Sequence, residues 1–354
     1  MKTTHAELSE QWRELIAKEP NLRIRDAAAR LGVSEAELLA TRVGAGVTRL
    51  AAKDWFELVK ELPKLGRVMC LTRNEHAVHE RYGIFRDIAF MGHGVAQVVG
   101  PDIDLRLFMN HWHIGFAVTD ETKEGPRKSL QFFDQDGTAI HKVYLQEESD
   151  HAAYDAIVAA YLSEDQSPTQ CVTPLPPGRP ERPDSQVDVE GFRKGWLELK
   201  ESHAFFMLMH KFGVAREQAL RLAPEGYAWQ VDKNAAQILL EKASKDQTPI
   251  MVFIGSEGCI QIHTGEVTNI KRFGGEWINV LDDEFNMHLR DSAVVRAWVV
   301  RKPTYEGGVV TSLELYDEKG NNLVLFFGKR KPGQLEDPVW AALAESLPKL
   351  ETAA

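Results

Sequence analysis

The segment WLELKESHAFFMLMHKFG carries the residue types best suited to chemistry. Ser202 can cap a short helix that Gly213 would end, and His203 opens it. Phe206 and Met207 fall at i+3 and i+4 from His203, and His210 at i+7, all on its face. An imidazole among aromatic and thioether groups suits a flat, metal-bearing ligand, with a nitrogen for the metal and apolar groups for the ring. A core histidine with one hydrogen bond fits the same periodicity. Arg216 stands thirteen residues further on, in the first turn of the next helix. A cation there opposes the helix dipole by ~0.3–1 kcal/mol, so either an anionic partner or a plain surface position accounts for it. Arg106 lies in DIDLRLF, where alternation puts Ile103, Leu105 and Leu107 on one face and Asp104, Arg106 and Phe108 on the other. It reads either as a surface partner of Asp104, worth little, or as a donor aimed into a cavity.

Other candidates are weaker. His76 and His79 stand at i,i+3, and His111 and His113 flank Trp112, without a carboxylate or cysteine cluster of metal-site spacing beside either pair. They read as surface or sheet histidines. Cys70, Cys171 and Cys259 are scattered and odd in number, so neither a zinc site nor a disulfide framework is indicated and a reducing cytoplasm fits. IRDAAARLGVSEAELLATRVG resembles a helix-turn-helix. Its second helix would lead into a groove with Glu35 and Glu37, the wrong chemistry for reading bases, so a DNA-binding regulator is the poorer alternative to a packed helical hairpin. The net charge of −10 likewise opposes general polyanion binding.

The elements that position these residues come as two copies. RLGVSEAELL (Arg30–Leu39) is echoed by KFGVAREQAL (Lys211–Leu220), DIDLRLFMNHWHIGFAV by EFNMHLRDSAVVRAWVV, and SLQFFDQDG by SLELYDEKG, at offsets of 181–183. The counterpart of His203 is Leu22 and that of Arg216 is Glu35, so neither is demanded by the shared fold. Ser167–Ser185 holds six of the sixteen prolines and reads as a stiff linker. The chain therefore divides into residues 1–166, a linker at 167–185 and residues 186–354, about the length of two domains. Each copy opens helical, with a Ser34–Glu37 capping-box pattern after Gly32 in the first. Alternating β-rich runs follow, among them Met251–Ile254, Trp277–Leu281, Ala293–Val300, Leu313–Tyr316 and Leu323–Phe327, and FDQDG and YDEKG read as turns. This predicts an α+β fold, a tandem duplication with a large antiparallel sheet and N-terminal helices in each half. No GxGxxG or P-loop pattern occurs, and no run approaches the ~20 apolar residues of a membrane span.

GPDIDLRLFMNHW, WLELKESHAFF, GVAREQALRLA, VVRKPT, SLELYDEKG and FFGKRKPG, with the duplication and the proline-rich linker, resemble the bacterial hemin-degrading, haem-transport family (the HemS/ChuS type) along essentially the whole chain. The resemblance implies haem in a cleft between two similar halves. It puts the proximal iron ligand at His203, a distal arginine at Arg106, a propionate contact at Arg216 and a second at Lys302, with Arg301 adjacent. Ala204 and Phe206 stand where one relative has further histidines, so ligation by neighbouring histidines is not expected. The implied roles are porphyrin ring opening to release iron, with haem as substrate and cofactor and Arg106 serving the reaction, or carriage of haem to a separate haem oxygenase. An external electron donor is then required. A haem oxygenase or the inner-membrane haem transporter is an implied partner, and the location is the cytoplasm.

Overall fold

The computed structural model describes residues 4–178, 180–201, 204–305, 308–330 and 334–350. The chain divides into two compact units, Met1–Arg73 with His79–Pro176 and Gly255–Gln261, and Asn74–Val78 with Pro177–Ile254 and Ile262–Ala354.

The first unit opens with α1 (His5–Lys18), α2 (Ile24–Leu31) and α3 (Glu35–Ala40). Gly32 ends α2 in the left-handed region at φ 69°, and the Ser34–Glu37 capping box forms as the sequence predicts. β1 (Val47–Leu50) and α4 (Trp55–Val59) follow, then β2 (Arg67–Arg73), β3 (Ala77–Ile84), β4 (Ile88–Gly92), β5 (Val95–Val99), β6 (Asp104–Phe108), β7 (Ile114–Thr122), β8 (Gly125–Phe133), β9 (Ala139–Leu145) and α5 (His151–Ala160). Hydrogen bonding runs in the order β1-β7-β8-β9-β2-β3 and, separately, β6-β5-β4. Apolar residues of β2, β8 and β9 (Val68, Leu130, Phe132, Val143) pack against Tyr154 and Ile157 of α5.

The second unit repeats this plan. It contains α6 (Val189–Leu197), α7 (Ala204–Phe212), α8 (Arg216–Arg221), β10 (Ala228–Val231), α9 (Ala235–Lys245), β11 (Ile250–Gly255), β12 (Cys259–Gly265), β13 (Ile270–Phe273), β14 (Trp277–Leu281), β15 (Phe285–Arg290), β16 (Arg296–Pro303), β17 (Val309–Tyr316), β18 (Asn322–Gly328) and α10 (Pro338–Glu345). Its strands run β10-β16-β17-β18-β11-β12 and β15-β14-β13, the first unit's order element for element. Register repeats as well: Val118 faces Ser129 as Val300 faces Ser312. The FDQDG and YDEKG turns close on Gly137 and Gly320 at φ 81° and 80°. The fold is α+β and duplicated, as the internal repeat predicts.

Two expectations change in detail. The run at Ala293–Val300 begins as a 3₁₀ turn (Asp291–Ala293), and its strand starts only at Arg296. The proline-rich segment carries no helix or strand among its described residues before Asp184, but its ends are strapped down. Arg49 Nη2 donates to the carbonyls of Ser167 and Thr169 at 3.0 and 2.6 Å, within the first unit. Beyond Pro177, Gln218 Nε2 donates to Arg182 O at 2.6 Å and Arg221 pairs with Glu181, within the second.

The helix that would have to read a DNA groove is internal. Glu35, Ala36, Leu38, Leu39 and Ala40 of α3 are all buried, and Glu35 receives Lys142 and Arg73. Burial alone would raise this carboxyl, but Lys142 and then Arg73 override it and hold it down at about 2 against an ordinary 4.5. In that window the unfolded chain binds a proton that the folded chain does not, so stability falls as pH drops from about 4.5 to about 2. Glu35→Gln should lower stability at neutral pH, because Lys142 loses its counter-ion. It should also flatten the acid dependence of the urea midpoint; an unchanged slope would remove Glu35 as its source.

Candidate functional site

In the second unit the cations assigned by resemblance converge on a carboxylate. Ser312, Glu314 and Tyr316 alternate on one face of β17. Glu314 is wholly buried; its Oε1 accepts from Lys302 Nζ at 2.6 Å and Ser312 Oγ at 3.1 Å. Its Oε2 accepts from Tyr316 Oη at 2.6 Å and from Arg216 Nε and Nη2 at 3.2 and 3.1 Å. Burial would push the Glu314 carboxyl up, but Arg216 and Lys302 hold it well below the usual carboxylate range. Burial pulls the Lys302 ammonium down, against the pull of Glu314. One carboxylate thus stands between two cations, leaving one positive charge in surplus.

The two cations differ in access. Lys302 is 3% exposed, whereas the Arg216 side chain is 34% exposed. Arg301, the neighbouring alternative, turns to Glu345 and to the Trp229 ring, so Lys302 is the member of VVRKPT that joins Arg216. Arg216 already has an anionic partner inside its own unit, Glu314. Arg216 also borders a depression of about 480 Å³, in which Glu217 is engaged by Arg296 and Glu181 by Arg221.

α7 is seated above this cluster by Phe205, Leu208 and Met209, which are buried with Phe192 and Trp196 of α6. Gly195 permits the approach, since a Cβ there would stand 2.5 Å from Leu208 Cδ1. Phe205 lies edge-on to Trp196 with ring centroids 4.7 Å apart, and Lys302 Nζ sits 4.8 Å over the Phe205 ring. The other face of α7 presents Phe206 (67% exposed), Met207 (64%) and His210 to solvent. Val214 N donates to Met209 O and Gly213, at φ 61°, turns the chain into α8, which carries Arg216 back to β17. Ser202 and His203 lie outside the described residues.

Arg106 belongs to the first unit. Ile103, Leu105 and Leu107 are buried as the alternation requires, while Arg106 pairs with Asp104 through Nη1 and also donates to Leu105 O at 3.0 Å. The pair is partly buried: desolvation raises the Asp104 carboxyl and Arg106 only partly offsets it.

Sequence reasoning missed Glu314. A signal was present, because Glu314 replaces Gln131 of the first copy just where Arg216 replaces Glu35. The unit keeps one geometry and exchanges which side carries the acid.

A duplicated helix-and-antiparallel-sheet protein, with two cations gathered on a buried carboxylate beneath an exposed apolar helix face in one copy, is a ligand-binding protein of the α+β class. The family described as the haemin-degrading HemS.ChuX domain matches residues 32–161 and 213–347. The chain belongs to that family. It is 38% identical over 336 residues to the hemin transport protein HmuS of Yersinia pestis, spanning 95% of this chain and 96% of that protein. Among solved structures it is similar to holo-PhuS, a haem-binding protein of Pseudomonas aeruginosa (TM-score 0.94, 44% identity, 98% of this chain and 100% of that one). It is also similar to ChuS, described as an E. coli haem oxygenase (TM-score 0.85, 34% identity, 96% and 99%). Among the described residues no helix is long and apolar enough to cross a membrane.

Proposed function

We propose that this chain binds haem in the cytoplasm and opens the porphyrin ring to release iron. One observation carries the reading: a buried cluster with a surplus positive charge lies against α7, whose free face is apolar, in the copy that alone has histidine at position 203. Haem is a flat apolar disc with two carboxylates at one edge, and Phe206 and Met207 with Arg216 match those two characters. Arg216, the more accessible cation, takes a propionate. Lys302 neutralises Glu314 from behind, so that the carboxylate does not repel the ligand. His203 supplies the iron ligand. Arg106, as the resemblance assigns it, donates hydrogen bonds on the opposite face of the iron.

When bound, haem supplies the redox chemistry itself, and electrons come from an external donor. The alternative is carriage to a separate haem oxygenase, which the description of HmuS as a transport protein favours. The test is reconstitution with hemin, addition of a reductant in the presence of catalase, and identification of the product as the Soret band decays. A tetrapyrrole product supports ring opening. Intact haem that passes to a partner oxygenase supports carriage.

Arg106 sharpens this test. A guanidinium has no lone pair for iron, so Arg106 contributes through hydrogen bonds to charge that develops during reaction, an effect of several kcal/mol on a barrier. Arg106→Ala is expected to keep haem affinity while slowing haem loss by about tenfold or more. Degradation at the unaltered rate would reduce Arg106 to a partner of Asp104.

A further inference from the structure

The strand orders end on β1, β13, β10 and β4, and three of these outer strands are defended. Arg49 of β1 donates its N–H to Gln166 Oε1 at 3.0 Å and accepts from Gln166 Nε2 at 2.8 Å. Leu350 N donates to Gln230 O of β10 at 3.1 Å, and Val231 bridges Lys349. β13 carries Lys271 and Arg272, and Arg272 pairs with Asp291 at 2.6 Å. Sheets cover or charge their edges in this way because a bare edge invites another strand.

β4 is bare. Among the described residues its backbone pairs with β5 and with no other segment. Alternate N–H and C=O groups of such a strand point away from its one neighbour. Ile88 to Val99 contains no Asp, Glu, Lys or Arg. Phe90, opposite Ala96 in the register, is 53% exposed, and its ring centroid lies 5.4 Å from that of Phe56. Met91, which the bulge leaves without a partner on β5, is exposed as well.

The duplicated fold does not require a bare edge here. The β4–β5 hairpin matches the β13–β14 hairpin in register, Ile88 facing Val98 as Ile270 faces Val280. Lys271 and Arg272 stand where the first unit has Ala89 and Phe90, and Asp291 where it has Met109. One copy holds an ion pair at this edge; the other has removed every charge from it.

An edge of this kind is covered by a strand, whose own N–H and C=O groups recur at the matching two-residue spacing. Twofold pairing sets each residue of the contact near its own copy, so any charge would meet its like. A chain of net charge −10 can therefore pair with itself best through an uncharged edge. β4 satisfies that condition, whereas β13 would set Lys271 and Arg272 against themselves. A charged partner would find nothing complementary on β4.

We propose that β4 is a self-association edge. Two copies of this chain pair antiparallel along Ile88–Gly92, centred on Phe90, the register that aligns the two short strands over their whole length. Phe90 and Phe56 of each copy form the apolar rim of the contact. Strands of five residues bury less than a standard interface, so the dimer is weak and forms as concentration rises. The proposal uses none of the residues assigned to haem.

The test is sedimentation equilibrium of the full chain over a wide concentration range. The unaltered protein should move from the mass of one chain toward that of two. Phe90→Lys gives β4 the kind of residue that Arg272 already is in the other copy, so it should fold, and it should lose the dimer. An equimolar mixture of Phe90→Lys and Phe90→Glu should regain it, since opposite charges then meet across the axis. A chain that stays monomeric throughout, equal association in Phe90→Lys, or no recovery in the mixture would each overturn the pairing. So would dimer loss in Phe273→Lys with Phe90→Lys unaffected, which would move the contact to β13. Flotation of a monomeric chain with phosphatidylcholine–phosphatidylglycerol vesicles, abolished by Phe90→Lys, would assign the edge to a lipid surface instead.

Discussion

Substituting His203 by alanine is expected to abolish the imidazole-ligated Soret spectrum of the hemin-loaded chain. The expectation rests on the contrast between copies: the repeat places Leu22 opposite His203, so the imidazole serves something only the second copy does. The helix that begins at Ala204 turns Phe205, Leu208 and Met209 inward and leaves Phe206 and Met207 in solvent. Large apolar groups exposed side by side are unfavourable unless something covers them. The substitution removes the iron bond but leaves the apolar wall and the cations, so binding should weaken rather than vanish. Even ~1.4 kcal/mol of net ligation is tenfold in Kd, which makes about tenfold the smallest loss expected. A spectrum unchanged in the variant would pass the ligand role to His210, on the same exposed face.

The repeat made the architecture legible, because three matched segments at offsets of 181–183 mark two copies of one α+β unit. Local signals also served well: Ser34 with Glu37 specified a capping box, and the buried trio Ile103, Leu105 and Leu107 followed from alternation alone. What stayed hidden was long-range pairing. Glu314 lies 98 residues from Arg216, and only the β16–β17 register brings Lys302 to the same carboxylate. Asp134 was visible as a turn residue, but nothing local says that its side chain reaches back to His111 Nδ1 at 2.7 Å. The same limit applied to Arg49, which looks like an ordinary strand residue and proves to fasten the start of the proline-rich segment.

The arrangement at Glu314 predicts opposite responses to charge changes a few ångströms apart. Arg216→Ala leaves Lys302 and Glu314 as a neutral pair and removes the accessible donor. A charged hydrogen bond contributes ~1.5–3 kcal/mol, so haem affinity should fall about tenfold to a hundredfold with the imidazole spectrum kept. Lys302→Met preserves packing against Phe205 and leaves Arg216 with Glu314, also neutral. Its loss should have the same sign and be smaller, since Lys302 acts on the ligand only through its field. Glu314→Gln goes the other way. Buried Lys302 and half-buried Arg216 then face each other without their acid, which lowers stability, chiefly through Lys302. An arriving carboxylate would offset part of that cost, so bound haem should raise the melting temperature more in Glu314→Gln than in the unaltered chain, and least in Arg216→Ala. Measuring that rise in all four proteins needs no turnover and does not depend on whether haem is degraded or carried. An equal rise in all four would mean that the propionates bind elsewhere and that the cluster only holds β16, β17 and α8 together.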